Sequence, residues 1–270
     1  MAFTSEHKTS NPVFKKIDKL AYAEVSDRAS FKGIYFKVGY FLALIILGMV
    51  AFLYMHSYFG RAGYDFVEIE EDFRLYYNES AILIGAFIIT LVSGLIAGFA
   101  PRTAAVTGSI YCVGMGYSIT FTSLTYAAAY SGIIIEALLL TVLIISVMAF
   151  LYWKGIVKIG KRFRTILYTA LAVTFLASII FVLLLLIVPN SSIVRSLIAI
   201  QHGPLGIVFA FIGVFIGAFL VLDDFDNISN TVKYGLDKKY EWCASFGLIL
   251  SMIYLYFRVL ELLARLKSED

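Results

Sequence analysis

An all-α, polytopic membrane protein with seven transmembrane helices is the fold class that this sequence predicts. Sixty per cent of its 270 residues are apolar and 15% are charged, at a mean hydropathy of +0.86. A soluble domain carries about a quarter of its residues as Asp, Glu, Lys and Arg. Here the charges are gathered into short islands between long apolar stretches, as a hydrocarbon core requires. Lys and Arg fall unevenly across those islands, which fixes an orientation.

A helix rising about 1.5 Å per residue needs about 20 apolar residues to cross about 30 Å of hydrocarbon. Seven stretches qualify: 36–59, 80–99, 104–126, 132–153, 166–188, 196–222 and 242–263. They define a transmembrane domain over 36–263, a polar tail over 1–35 and a short C-terminal tail over 264–270. Of the longer connections, 60–79 is acidic, 154–165 basic and 223–241 rich in carboxylates. The spans show no alternation with period two, which excludes a β-barrel. The first 31 residues lack an apolar signal-peptide core, so the first span acts as the insertion signal. With the N-terminus in the cytoplasm, sixteen Lys and Arg lie inside and five outside, with Arg258 within a span. The positive-inside rule therefore puts the N-terminus in and, with an odd number of spans, the C-terminus out.

Cys112 and Cys243 fall in or beside apolar spans and read as small core residues. A net charge of +3 without a basic-aromatic run excludes nucleic acid as a partner. Gly94 and Gly98, and Gly213 and Gly217, are spaced four apart, which lets helix backbones approach closely.

Ionisable groups at membrane depth are costly and mark candidate sites. Glu136, His56 and His202 lie toward the outer ends of their spans, and His7 is in the tail. No His-x-x-x-His or Glu-x-x-His spacing joins them, so no metal site and no resident cofactor is expected. The stronger signal is Asp223, Asp224 and Asp226, three carboxylates in four residues at the expected end of the sixth span. Like charges so close favour taking up a proton, and carboxylate oxygens suit transient Ca²⁺. The negative end of a helix dipole is an adverse place for them, which points to a cation or proton site. In the last span Arg258 and Glu261 are three apart and can pair, as a neutralised couple or as a gate or counter-ion. No Gly-x-Ser-x-Gly and no phosphate-binding loop is present, and no enzyme is expected.

Several segments together resemble the Bax inhibitor family of seven-span membrane proteins, in its bacterial branch. They are Ser10-Asn11-Pro12-Val13-Phe14, the run from Ala100 to Ser109, Ile135-Glu136-Ala137-Leu138-Leu139-Leu140-Thr141, and the run from Phe163 to Ala170. Leu222-Asp223-Asp224-Phe225-Asp226 and the run from Tyr240 to Leu248 complete the series in chain order. The resemblance implies a bundle whose last helix is surrounded by the other six. It also implies a bacterial plasma membrane location and a pH-sensitive Ca²⁺ leak. In that family, an aspartate at the end of the sixth helix shares a proton with one in the seventh. The first falls on Asp224; the second falls on Leu250 or Arg258, neither a carboxylate. Arg258 is 16 residues beyond Trp242, about 24 Å along the helix. Glu241, at the start of the last helix, is therefore the expected partner of Asp224, with Asp223 and Asp226 nearby. The leading functional reading is a pH-gated, passive cation pathway for Ca²⁺, with protons as the controlling ligand. The main rival is a non-conducting protein that modulates a membrane protease or another membrane partner.

Overall fold

The structure, a computed structural model, describes residues 28–62, 65–70, 73–100, 102–157, 159–188 and 191–268. The tail before residue 28, with His7 and the Ser10–Phe14 segment, lies outside them. The order of elements is α1 (Phe31–Ala62), β1 (Phe66–Glu70), β2 (Phe73–Tyr76), α2 (Tyr77–Phe99), α3 (Ala104–Ala129), α4 (Ile133–Trp153), α5 (Lys161–Ile187), α6 (Ser192–His202), α7 (Pro204–Lys233) and α8 (Lys239–Lys267). Six of these helices (α1, α2, α4, α5, α7 and α8) are long and apolar enough to cross a membrane. The seventh long helix, α3, spends part of its 26 residues on Tyr, Ser, Thr and Gly. It can do so because it lies inside, packed on α1 and α2 and touching α8.

The first helix starts at Phe31 rather than 36, because Ser30 caps it: the Gly33 N–H donates to Ser30 Oγ at 3.0 Å. Two further departures from the sequence reading have local causes. The acidic connection after α1 holds an antiparallel hairpin, with Phe66 opposite Tyr76 and Glu68 opposite Arg74. The sixth span is not 196–222. Its apolar run is broken at Gly203–Pro204, since Pro204 offers no N–H and disfavours helix at the residue before it. The short α6 precedes the break, and α7 then runs on to Lys233, ten residues past Asp223. The carboxylates therefore stand within a helix and not at its end.

The last helix is the axis of the bundle. It is the most buried of the six spans and packs on α1, α2, α3, α4 and α7. The peripheral helix is α5, the least buried, which rests on α7 through Leu167, Ile216, Leu220 and Phe219 and meets α8 at Tyr254. Around α8 the core is aromatic at one end, where Phe41 lies 5.7 Å from Trp242 and 5.9 Å from Phe246, and Tyr111 lies 5.2 Å from Phe246. Such pairs contribute about 0.5–1.5 kcal/mol each beyond the area they bury. Halfway along, Ser123 and Tyr256 share a buried 2.7 Å hydrogen bond. Large apolar side chains such as Ile46, Phe87, Leu139 and Phe175 cover the outer surface. They face lipid, which accepts them as readily as a core does, so association depends on close packing and polar contacts.

Close approach is made at glycines. Gly48 of α1 and Gly116 of α3 lie against each other's helix: a Cβ on either would overlap a backbone carbonyl, Val113 O or Ile45 O. The sixth span's pair also packs, Gly213 under the Arg258 side chain and Gly217 under Leu255. In α2 only Gly94 is covered, by the Tyr111 ring, while nothing lies within 4 Å of where Gly98 would carry a Cβ. Gly116→Val should therefore lower the melting temperature of the detergent-purified protein sharply, overpacking costing about 1–3 kcal/mol or more. Gly98→Val should leave it within a degree or two, and equal effects at both positions would contradict this packing.

Candidate functional site

The tight turn between α7 and α8 reverses the chain at Gly235, whose φ of +60° suits a residue without a Cβ. The two helices then lie antiparallel in a fixed register. Gly206 faces Arg265, Gly213 faces Arg258, Gly217 faces Tyr254 and Leu255, and Gly247 faces Asp224. Each step of seven or four along α7 is matched by the same step back along α8.

This register separates the three aspartates. Asp223 and Asp226 turn toward α5, where Arg164 bridges them: Nε donates to Asp223 Oδ1 at 2.7 Å and Nη2 to Asp226 Oδ2 at 3.0 Å. Tyr168 and Asn227 donate to Asp223 Oδ2 at 2.9 and 3.2 Å, and Asn230 to Asp226 Oδ2 at 3.0 Å. Asp223 is fully buried, so the clamp replaces the water it has lost. Asp224 turns the other way, toward Gly247 and Ser251 of α8, with Oδ1 3.3 Å from where a Gly247 Cβ would stand. Its Oδ2 is the one carboxylate oxygen among the described residues that is buried without a hydrogen-bond partner. Asp224 also lines a cavity of about 480 Å³ bounded by Tyr111, Tyr168, Leu250, Ser251, Tyr254 and Arg258.

Glu241 does not reach Asp224. It is 1% exposed and belongs to the start of α1: it forms an ion pair with Lys37 and accepts from Ser30 N at 2.8 Å and from Ser30 Oγ at 3.2 Å. Gly33 is needed there, because a Cβ would collide with the Glu241 carboxylate. The Trp242 ring covers the Lys37 ammonium at 5.0 Å. The residues of α8 that meet Asp224 are Gly247 and Ser251, six and ten positions beyond Glu241. Neither Leu250 nor Arg258 is opposite it, although both line its cavity.

At the other end of α8 the expected pair is made, and it is larger than expected. Arg258 Nη1 donates to Glu261 Oε2 at 2.8 Å, and Arg265 Nη2 donates to Glu261 Oε1 at 2.7 Å. The Arg258 guanidinium also lies 5.1 Å over the Tyr254 ring. Glu261 thus holds two arginines apart, so Glu261→Ala should destabilise the purified protein more than Arg258→Ala. The first change leaves two like charges adjacent, the second still leaves a pair. A melting-temperature series in detergent decides it, and the reverse order would dismiss the bridge.

Of the remaining candidates His56 and Glu136 are used structurally, while the His202 side chain lies outside what is described. His56 Nδ1 is 2.9 Å from Oε2 of the buried Glu79, and Glu136 pairs with Lys267 at 2.8 Å. Among the described residues no group of three or more His, Cys, Asp or Glu could hold a metal ion. The three aspartates accordingly do not form a chelating cluster. The residues that sequence reasoning missed are Arg164, Tyr168, Ser251 and Lys37. Lys37 had a readable signal, a cation at the start of an apolar span that must find a carboxylate. Arg164 did not, because it stands among other basic residues of a connecting loop.

A family model described as Bax inhibitor 1 like matches residues 11–268, nearly the whole chain. No curated protein and no solved structure matches it.

Proposed function

The chain belongs to the Bax inhibitor 1 like family, and on that premise we propose that it is a pH-responsive passive leak for cations, Ca²⁺ foremost. The observation that carries this reading is the asymmetry of the aspartates. Two of them share one arginine and are fixed, whereas Asp224 keeps a buried oxygen without a partner beside a cavity. A charged Asp224 attracts a cation into that cavity; a protonated one does not. A single carboxylate with a serine beside it binds a divalent ion weakly, and a conducting site must let its ion go. Arg258 lies at the far end of the same cavity and opposes passage there, so the contact with Glu261 that positions it serves as the gate. The excess of Lys and Arg at the end carrying the α1 start supports a cytoplasmic N-terminus, and in that orientation Asp224 lies toward the cytoplasmic mouth.

The test is Ca²⁺ entry into liposomes that contain only the purified chain, measured with an entrapped indicator over pH 5–8. A flux well above protein-free liposomes that changes with pH across this range is the expected result. Absence of flux at every pH would reject the leak and favour the non-conducting interaction protein.

A further inference from the structure

We propose that the basic end of α5 is a binding site for one anionic phospholipid, in the leaflet on the Lys/Arg-rich side of the bundle. A cavity of about 710 Å³ is lined along one face of α5 by Lys161, Arg164, Thr165, Tyr168, Thr169, Ala172, Val173 and Leu176. The chemistry of this face changes in one direction. Its first turns present two cations and the Thr165 and Thr169 hydroxyls, and its continuation is Ala172, Val173 and Leu176. The rise from Thr165 to Leu176 is about 16 Å, close to one leaflet of about 15 Å, half of the hydrocarbon core. A phosphate placed by Lys161 and Thr165 therefore leaves its acyl chain a groove of matching length. Val173 and Leu176 are more than half exposed, and α5 is the least buried of the spans, so this face is open to lipid.

Charge selects the headgroup. Lys161 and Arg162 form no ion pair among the described residues, whereas Asp223 and Asp226 leave the Arg164 clamp with a net negative charge. The attraction for an anion thus comes from Lys161 and Arg162, and Arg164 adds N–H donors more than charge. Its five N–H groups supply two bonds to the aspartates, and three remain for phosphate oxygens. Arg164 and Tyr168 belong both to the lipid face and to the aspartate clamp, so a bound phosphodiester and the clamp share the same guanidinium. The site does not depend on ion conduction and holds whether or not the chain is a leak.

Native mass spectrometry of the full chain in detergent tests it, with phosphatidylglycerol and phosphatidylcholine offered at equal concentration. One phosphatidylglycerol per chain should be retained, at least tenfold over phosphatidylcholine. Lys161→Gln should weaken phosphatidylglycerol about fivefold, the effect of one lysine near an anionic surface, and leave phosphatidylcholine unchanged. Ala172→Trp, which fills the groove, should also weaken it. Both positions face outward, and an unchanged melting temperature certifies the fold. Equal retention of the two lipids, or a preference untouched by Lys161→Gln, overturns the proposal. Displacement of the lipid by millimolar inorganic phosphate overturns it as well, since that marks a bare anion site.

Discussion

Asp224→Asn should abolish most of the pH dependence of Ca²⁺ flux while leaving the protein folded. Asparagine is nearly isosteric, so the contact with Gly247 and the position beside Ser251 are kept. What is lost is the one carboxylate among the described residues that lines the cavity, held by neither Arg164 nor another cation. Flux should fall to the level that the wild type reaches when this group is protonated and stay there as pH rises. Asp223→Asn serves as the contrast. It loosens the clamp on Arg164 and lowers thermal stability, but leaves the titrating group in place, so the pH dependence persists. If Asp224→Asn retained the full pH response, the sensing group would have to be sought elsewhere.

The largest loss of stability is expected from breaking the Lys37–Glu241 pair. Removing one member of a buried ion pair costs about 3–5 kcal/mol, because the other charge is left without a partner. Glu241→Leu should therefore lower the melting temperature by about 10 °C, taking about 2–4 °C per kcal/mol for a chain of this size. It also strips two hydrogen bonds from Ser30, so the start of α1 loosens with it. Adding Lys37→Met should recover much of the loss, since no uncompensated charge remains. A double variant no more stable than the single one would refute the pairing. The same measurement keeps Glu241 distinct from Asp224: the Lys37–Glu241 change acts on stability, the Asp224 change on the pH response.

The spans were legible because hydrocarbon imposes length and apolarity on each helix separately, and apart from the sixth span their ends came within about five residues. Where the sequence reading went astray, a local signal was outweighed by a cruder one. The Gly203–Pro204 step breaks a helix by its own covalent geometry, yet it sits in an apolar run whose hydropathy masks it. That error moved the three aspartates to a helix end and grouped them, whereas along a continuing helix adjacent residues turn about 100° apart. Asp224 was found because a run of three carboxylates marked the segment and the family resemblance falls on that residue. Its surroundings were not, because contacts between α5, α7 and α8 depend on helix rotation, which apolar spans with little amphipathic bias do not encode. The Arg258–Glu261 pair was readable since it lies within one helix; Arg265, one further turn along, completes it.

The position of α8 at the axis has a bearing on how the chain is made. Ribosomes deliver residues in order, at about 5–20 per second, so the helix around which the others pack is the last to arrive. Until residues 239–267 have been synthesised, Lys37 has no carboxylate, the Phe41 and Tyr111 rings have no Phe246, and the cleft between α1, α3, α4 and α7 has no filling. The earlier spans can already pack on one another, α1 on α3 at Gly48 and Gly116 and α2 on α3 at Gly94, but the core around the axis closes only in a late step. A nascent chain that stops before Lys239 presents to the cell's membrane proteases a set of correctly threaded helices with an unpaired lysine, which is a ready mark for removal.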